Sequence, residues 1–273
     1  MHAGDLAAGQ AMTAALGWPH RAADWEQAFR LGEGRVAVHR GEVVGTAMRW
    51  RWGPRHATLG LIVVSPAWQG RGVGRRLVSA LLEGLEACGV LLHATPEGRG
   101  LYERLGFVHI GGLRQHQGTA RHTPPVALPA GWRLRPAGSA DTPTMAVLDA
   151  QARGMPRAAL IAALAAGAAA AAMLEHEGRA RGFGLLRRFG RGHSVGPVVA
   201  GDAAGARALV AHLAGLNAGH FTRIDVGGPE PAAEWLAGLG LPRVDDAAVM
   251  VRGPVPVAAD EARLFALATQ SLG

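Results

Sequence analysis

The stretch that most constrains this chain is Val63-Val64-Ser65-Pro66-Ala67-Trp68-Gln69-Gly70-Arg71-Gly72-Val73-Gly74-Arg75-Arg76. The run Leu61-Ile62-Val63-Val64 reads as a buried strand. It enters a glycine-rich turn and then a segment in which Val73, Leu77, Leu81 and Leu85 recur every four positions, one apolar face of a helix. A unit of this kind holds an anion. Glycine allows close backbone approach and left-handed dihedrals, and the helix start offers unpaired N–H groups and a partial positive charge.

Glycines alone say little here, because the chain has 40 of them in 273 residues. The pair G-x-G recurs at Gly32/Gly34, Gly98/Gly100, Gly182/Gly184, Gly190/Gly192 and Gly238/Gly240, but those sites lack one or both flanks. A P-loop is excluded, since the chain contains no lysine. A dinucleotide fingerprint fails in both frames, where Arg75 or Leu77 stands for the third glycine.

Gln69-Gly70-Arg71-Gly72-Val73-Gly74 fits Q/R-x-x-G-x-G/A and resembles the acyl-CoA pyrophosphate motif of the GNAT superfamily. Downstream, Leu101-Tyr102-Glu103-Arg104-Leu105-Gly106-Phe107 resembles that superfamily's late LYexLGF segment. The resemblance spans roughly residues 5–117. It implies an α/β fold, a twisted mixed sheet flanked by helices, with acetyl-CoA in a splay between the fourth and fifth strands. It further implies that the backbone of Ile62, Val63 and Val64 pairs with the pantetheine arm. Gln69, Gly70, Arg71, Gly72, Val73, Gly74 and Arg75 would hold the pyrophosphate. Tyr102, the sole tyrosine, falls on the general-acid position.

Direct attack by an amine needs no enzyme nucleophile. The departing thiolate, with a pKa of about 8.5, needs a proton or a hydrogen bond, which a phenol of pKa about 10 supplies near the transition state. The glutamate that many relatives carry on the fourth strand is missing from Thr58-Leu59-Gly60-Leu61-Ile62-Val63. His93, on the next strand, is one substitute base, and His56 and Glu97 are others; each also reads as a strand-end histidine or a solvated loop glutamate, and proton loss to bulk water is a further route. The superfamily's acceptor loop corresponds to residues 17–26, where Trp18, His20, Arg21, Asp24 and Trp25 are candidates to hold the acceptor. A helix start at Pro19 with an acidic first turn explains part of that set equally well.

The chain also repeats itself. Gly17, Gly41 and Gly45 overlay Gly154, Gly178 and Gly182 at a shift of 137, and Leu105-Gly106-Phe107 overlays Leu239-Gly240-Leu241 at 134. We read two tandem GNAT-like domains, residues 1–117 and 132–273, joined by a linker at 118–131 with two adjacent prolines. The second has lost the chemistry: Asp202 stands where phosphates would lie, and Leu236 replaces Tyr102. It is a structural partner standing in for a dimer mate, a second ligand site, or a wall of the acceptor pocket. Arg187, Arg188, Arg191 and His193 form a basic cluster there, which serves an acidic ligand or is a solvated strand edge. Its opening Trp132-Arg133-Leu134-Arg135-Pro136 reads as a strand with no counterpart in the first domain.

Composition limits the remaining choices. One cysteine, Cys88, excludes a disulfide framework and a cysteine metal cluster, and no metal site is expected. The net charge of +7 comes entirely from scattered arginines. It suits a polyphosphate cofactor rather than nucleic acid. Arg49-Trp50-Arg51-Trp52 on a strand puts a solvated arginine face over a packed tryptophan face. The alanine-rich residues 158–174 are too weakly apolar to span a bilayer and read as a helix followed by a strand. No membrane partner, no secretion signal and a cytoplasmic location are expected, with the chain acting as a monomeric pseudo-dimer or a homodimer. The resulting expectation is an N-acetyltransferase moving acetyl from acetyl-CoA to a primary amine. The alternative is an acyl-CoA-binding or sensor protein with little catalysis.

Overall fold

The structure, a computed structural model, describes residues 1–227, 232–259 and 261–273. The first half opens with a short 3-10 turn and continues through α1 (Leu6–Ala15), α2 (Ala22–Leu31), β1 (Glu33–His39), β2 (Glu42–Trp52) and β3 (His56–Val64). Then come α3 (Val73–Leu82), β4 (Gly89–Ala94), α4 (Pro96–Glu103) and β5 (Val108–Thr119). The second half starts with β6 (Trp132–Pro136) and runs through α5 (Thr142–Arg153), α6 (Ala158–Ala166), β7 (Ala168–His176), β8 (Arg179–Phe189) and β9 (Gly192–Ala200). It ends with α7 (Ala203–Leu216), β10 (Phe221–Gly227), α8 (Ala232–Gly238), β11 (Arg243–Arg252) and β12 (Arg263–Ala266).

The duplication is written in the backbone. The two-residue turn between β1 and β2 uses Arg40 (φ 49) and Gly41 (φ 85), and that between β7 and β8 uses Glu177 (φ 49) and Gly178 (φ 75). Both residues of a tight hairpin turn must take positive φ for the turn to match the strand twist, and the same pair does so in each half. A bulge also recurs, opposite Thr46/Met48 on β3 and opposite Gly184/Leu186 on β9.

All twelve strands form one sheet in the order β1-β2-β3-β4-β11-β5-β10-β12-β9-β8-β7-β6. Each half's last long strand has crossed over: β11 lies between β4 and β5, and β5 lies between β11 and β10. This exchange resembles domain swapping within one chain. β5 pairs antiparallel with both second-half strands, with β11 as far as His116 and with β10 through Thr119, so regular structure runs two residues into the expected linker. At one end β6 covers β7, while among the described residues no strand pairs with the outer edge of β1.

Three main apolar clusters hold the sheet. α3 and α4 pack on the outer face of the first half through Leu77, Leu81 and Tyr102, with Phe107 beyond α4 in the same cluster. α7 packs the outer face of the second half through Leu209 and Leu213. Between them one shared core takes Trp25, Trp50 and Trp52 from the first half and Met145, Leu160 and Phe183 from the second. α3 stops at Leu82, before Gly84 with φ 72, so Leu85 and Cys88 lie beyond the helix, although both remain buried. Arg49 is not solvated as expected. Its Nη1 donates to the carbonyls of Leu81 (2.8 Å) and Glu83 (2.7 Å), satisfying the end of α3, where cations are favoured.

Candidate active site

β3 and β4 run parallel and pair only from His56/Gly89 to Leu59/Leu92. Past Leu59 they part, and a cavity of about 1010 Å³ opens between them. The bulge at Leu61 (φ 50) marks the parting. Thr46, buried on β2, donates its hydroxyl to the Leu61 carbonyl at 3.0 Å. Ile62, Val63 and Val64 line the cavity, and among the described residues no strand pairs with this side of β3 past Leu59, which leaves extended backbone facing the cavity.

The glycine turn lies at one end. Gly70 (φ 72) and Gly72 (φ 76) occupy the left-handed region, and nothing lies within 4 Å of a Cβ placed on either. Their smallness therefore serves backbone conformation rather than packing. Gly72 caps α3 without any side-chain hydrogen bond. The N–H groups of Val73, Gly74 and Arg75 have no acceptor among the described residues. Gln69, Gly70, Gly72, Val73, Gly74 and Arg75 all line the cavity. Gln69 also donates to the Val64 carbonyl at 3.1 Å, tying turn to strand. Arg71 does not line it; its guanidinium sits 5.0 Å over the Trp68 ring. An uncapped helix start beside an open strand edge fits a ligand with phosphates and an amide-bearing arm.

Tyr102 and His93 meet the cavity from either side of the β4–α4 corner. Thr95 begins α4 by accepting from Gly98 N–H at 3.3 Å. About two turns on, Tyr102 packs edge-on against Phe107 at 5.9 Å. Burial disfavours the phenolate and pushes Tyr102 up to about 12, so it stays a donor. His93 Nδ1 lies 2.7 Å from the Gln270 carbonyl oxygen. A carbonyl only accepts, so Nδ1 carries the proton and Nε2 keeps the lone pair. Burial first, then the Arg153 charge, lower His93 to about 4, leaving it neutral at ordinary pH. His56 sits at the paired end of β3, outside the lining, whereas Glu97 is in it.

The acceptor loop divides. Trp18 and His20 line the cavity, and His20 stands edge-on to Phe189 at 5.4 Å. Arg21, Asp24 and Trp25 do not line it. Arg21 is paired with Asp24 at 2.7 Å and donates to the Arg188 carbonyl. Asp24 also accepts from the N–H groups of Arg21 and Gly190. Trp25 is fully buried, its indole N–H directed to Thr13 at 3.2 Å. These three start α2 and tie it to the second half. Arg187 likewise leaves the expected basic cluster: it is buried and donates to the carbonyls of Gly196 and Ala268.

The opposite wall comes from residues the motifs do not indicate: Gln115, Phe189, Arg223, Asp245, Asp246 and Gln270. All but Gln115 come from the second half, with Asp245 and Asp246 carried in on the exchanged β11, so the second half is a wall of this cavity. Arg223 is held by Asp225 through two hydrogen bonds of 2.9 and 3.0 Å. The available sequence signal was the polar alternation of Gln115 and Gln117 on β5.

In the second half both parts of the equivalent site are filled by the chain. Asp202 caps α7, accepting from Gly205 N–H at 2.8 Å. β12 runs between β9 and β10, pairing Leu264 with Val199 and Ala266 with both Val198 and Val226. Leu236, in the position of Tyr102, is buried in the core. Among the described residues no group of three or more metal-binding side chains comes together. No helix there is long and apolar enough to cross a membrane.

A mixed sheet that splays beside a glycine-capped helix in the first half, and a second half that repeats its hairpin turn and bulge, fit an acyltransferase of tandem form. Family descriptions reading "Acetyltransferase (GNAT) domain" match residues 30–109 and 145–266. The chain belongs to the GNAT superfamily, with two such domains in tandem. It is 25% identical over 264 residues to an uncharacterized N-acetyltransferase, YitH, of Bacillus subtilis, covering 94% of this chain and 91% of that one. Its fold is similar to a putative acetyltransferase from Pyrococcus horikoshii (TM-score 0.78, 21% identity, 100% and 94% of the two chains). It is also similar to a tandem GNAT protein from the clavulanic acid biosynthesis pathway (TM-score 0.60, 18% identity, 93% and 98%).

Proposed function

We propose that the chain is an N-acetyltransferase that uses acetyl-CoA to acetylate a primary amine, with one working site per chain in the first half. The observation that carries this reading is the convergence, in one cavity, of the uncapped α3 start, the open edge of β3, Tyr102 and the free Nε2 of His93. The α3 N–H groups suit the pyrophosphate, and the backbone of residues 62–64 suits the pantetheine arm.

Acetyl-CoA supplies the acyl group activated as a thioester. His93 Nε2 accepts the proton that the amine nitrogen loses as its bond to the acetyl carbon forms. The Tyr102 hydroxyl donates a hydrogen bond to the departing sulfur. Full proton transfer from a phenol at about 12 to a thiolate of about 8.5 is uphill by roughly 5 kcal/mol. Tyr102 therefore acts mainly as a hydrogen-bond donor, and one proton leaves the amine for each proton CoA finally carries. Trp18 and His20 on one side and Asp245 on the other bound the space for the amine.

Calorimetric titration with acetyl-CoA tests the reading. One site per chain, lost in Gly72→Asp, is expected, followed by CoA release with part of an amine panel. Absence of binding overturns it. Binding without CoA release from any amine replaces it with the acyl-CoA-binding alternative.

A further inference from the structure

The segment that fills the second half's slot does not stop there. After β12, residues 267–273 cross to the first half and lie against its cavity. Thr269, Gln270 and Ser271 line the cavity, and Ser271 lies close against Gly60 of β3. The crossing is fastened at several points. Arg187 donates to the Ala268 carbonyl. Arg157, buried and paired with Asp149 at 2.7 Å, donates to the carbonyls of Leu272 and Gly273. The Gln270 side chain donates to Gln115 and Asp225, both at 3.3 Å. At the centre of these ties the Gln270 main-chain carbonyl meets His93 at 2.7 Å.

We infer that the disused cofactor slot of the second half has become the socket for residues 263–266, and that this socket serves the working site by holding Gln270 against His93 as a positioning residue. The Gln270 carbonyl fixes the imidazole as its Nδ1–H tautomer and turns the Nε2 lone pair to the cavity. The inference rests on the acetyltransferase reading for its purpose, though not for its geometry. An imidazole free in water prefers its proton on Nε2, the tautomer that would block this base. Selection of the other tautomer by a fixed acceptor is how a histidine is committed to one face. No group on β4 or α4 does this: among the described residues the only hydrogen-bond partner of His93 is Gln270. The second half thereby contributes to chemistry its own site has lost.

Nitrogen-15 spectroscopy of histidine-labelled protein, with His93 assigned by its loss in His93→Gln, reads the tautomer directly and requires no variant of the tail. The proton is expected on Nδ1 near pH 7; a proton on Nε2 overturns the inference. Gln270→Ala keeps the carbonyl but cuts its two tethers. It is expected to shift His93 toward the Nε2–H form and lower kcat by about 3–10-fold, the worth of about one hydrogen bond. The KM for acetyl-CoA is expected to hold. An unchanged tautomer and kcat in that variant also count against the inference. The spectroscopic arm needs no turnover, so a chain that acetylates nothing sinks the proposed function while the tautomer stands or falls by itself.

Discussion

Thr46 and Leu61 are joined by a 3.0 Å hydrogen bond from the threonine hydroxyl to the leucine carbonyl. The bond ties down a residue of β3 held at φ 50, so a buried polar group on β2 stabilises the bulge from which the cavity opens. Thr46→Val keeps the shape and removes the donor. It is expected to destabilise the protein by about 1–3 kcal/mol, the cost of leaving a buried polar group without its partner. It should also raise the KM for acetyl-CoA more than it lowers kcat. Denaturant titration and steady-state kinetics check both effects, and an unchanged denaturation midpoint would show that the bond contributes nothing to the bulge.

Tyr102 is a donor over the whole practical pH range, because burial holds it near 12. Tyr102→Phe should lower kcat by roughly 10²–10⁴-fold, the range for a positioned acid–base group, with acetyl-CoA affinity kept. Any fall in rate between pH 8 and 10 should persist in the variant, since Tyr102 does not titrate there. Equal turnover of the two proteins would remove Tyr102 from the chemistry.

Two histidines govern the acid side. His20 and His93 are both lowered to about 4, each by burial first, then by Arg223 and Arg153 respectively. Asp24 beside His20 and the Gln270 carbonyl at His93 act in the opposite direction, and Arg157 adds to the lowering at His93. Unfolded histidine titrates near 6.5, so between about 6.5 and 4 the unfolded chain binds more protons than the folded one. The stability from these groups is thus fully present above pH 6.5 and is lost as pH falls through 4. Urea midpoints should drop across that window, and more gently in a His20→Gln/His93→Gln chain. If His93 is the base, kcat should fall only near pH 4. A limb near 6.5 would mean that a different, solvated group carries it.

Much of the first half's site was legible because local chemistry fixes it. Gly70 and Gly72 must take positive φ wherever the chain turns so tightly into a helix, and α3 follows from apolar spacing. The acceptor side was not legible. Asp24 and Trp25 have the residue types of a binding loop, yet the first completes a capping box and the second fills a core. What decides between these roles is the neighbour across the fold. Arg223 and Asp245 reach the cavity because β5 and β11 trade places, and Gln270 because β12 inserts between β9 and β10, long-range pairings that leave no periodic trace. Arg49 reads as solvated from strand alternation, and only the end of α3 beneath it explains its burial.

Asp202 separates two explanations for the silent second half. Its carboxylate occupies the start of α7 by accepting from Gly205 N–H at 2.8 Å, where the first half leaves the start of α3 open. If that cap alone excluded a cofactor, Asp202→Ala would free the N–H groups and create a second site. β12 argues otherwise, since it also takes the strand edges of β9 and β10 that a pantetheine arm would need. The variant is therefore expected to lose about 1 kcal/mol of stability, the usual worth of an N-cap. It should still bind a single acetyl-CoA per chain by calorimetry. A stoichiometry of two would show that the carboxylate alone closes the slot and that β12 yields to a ligand.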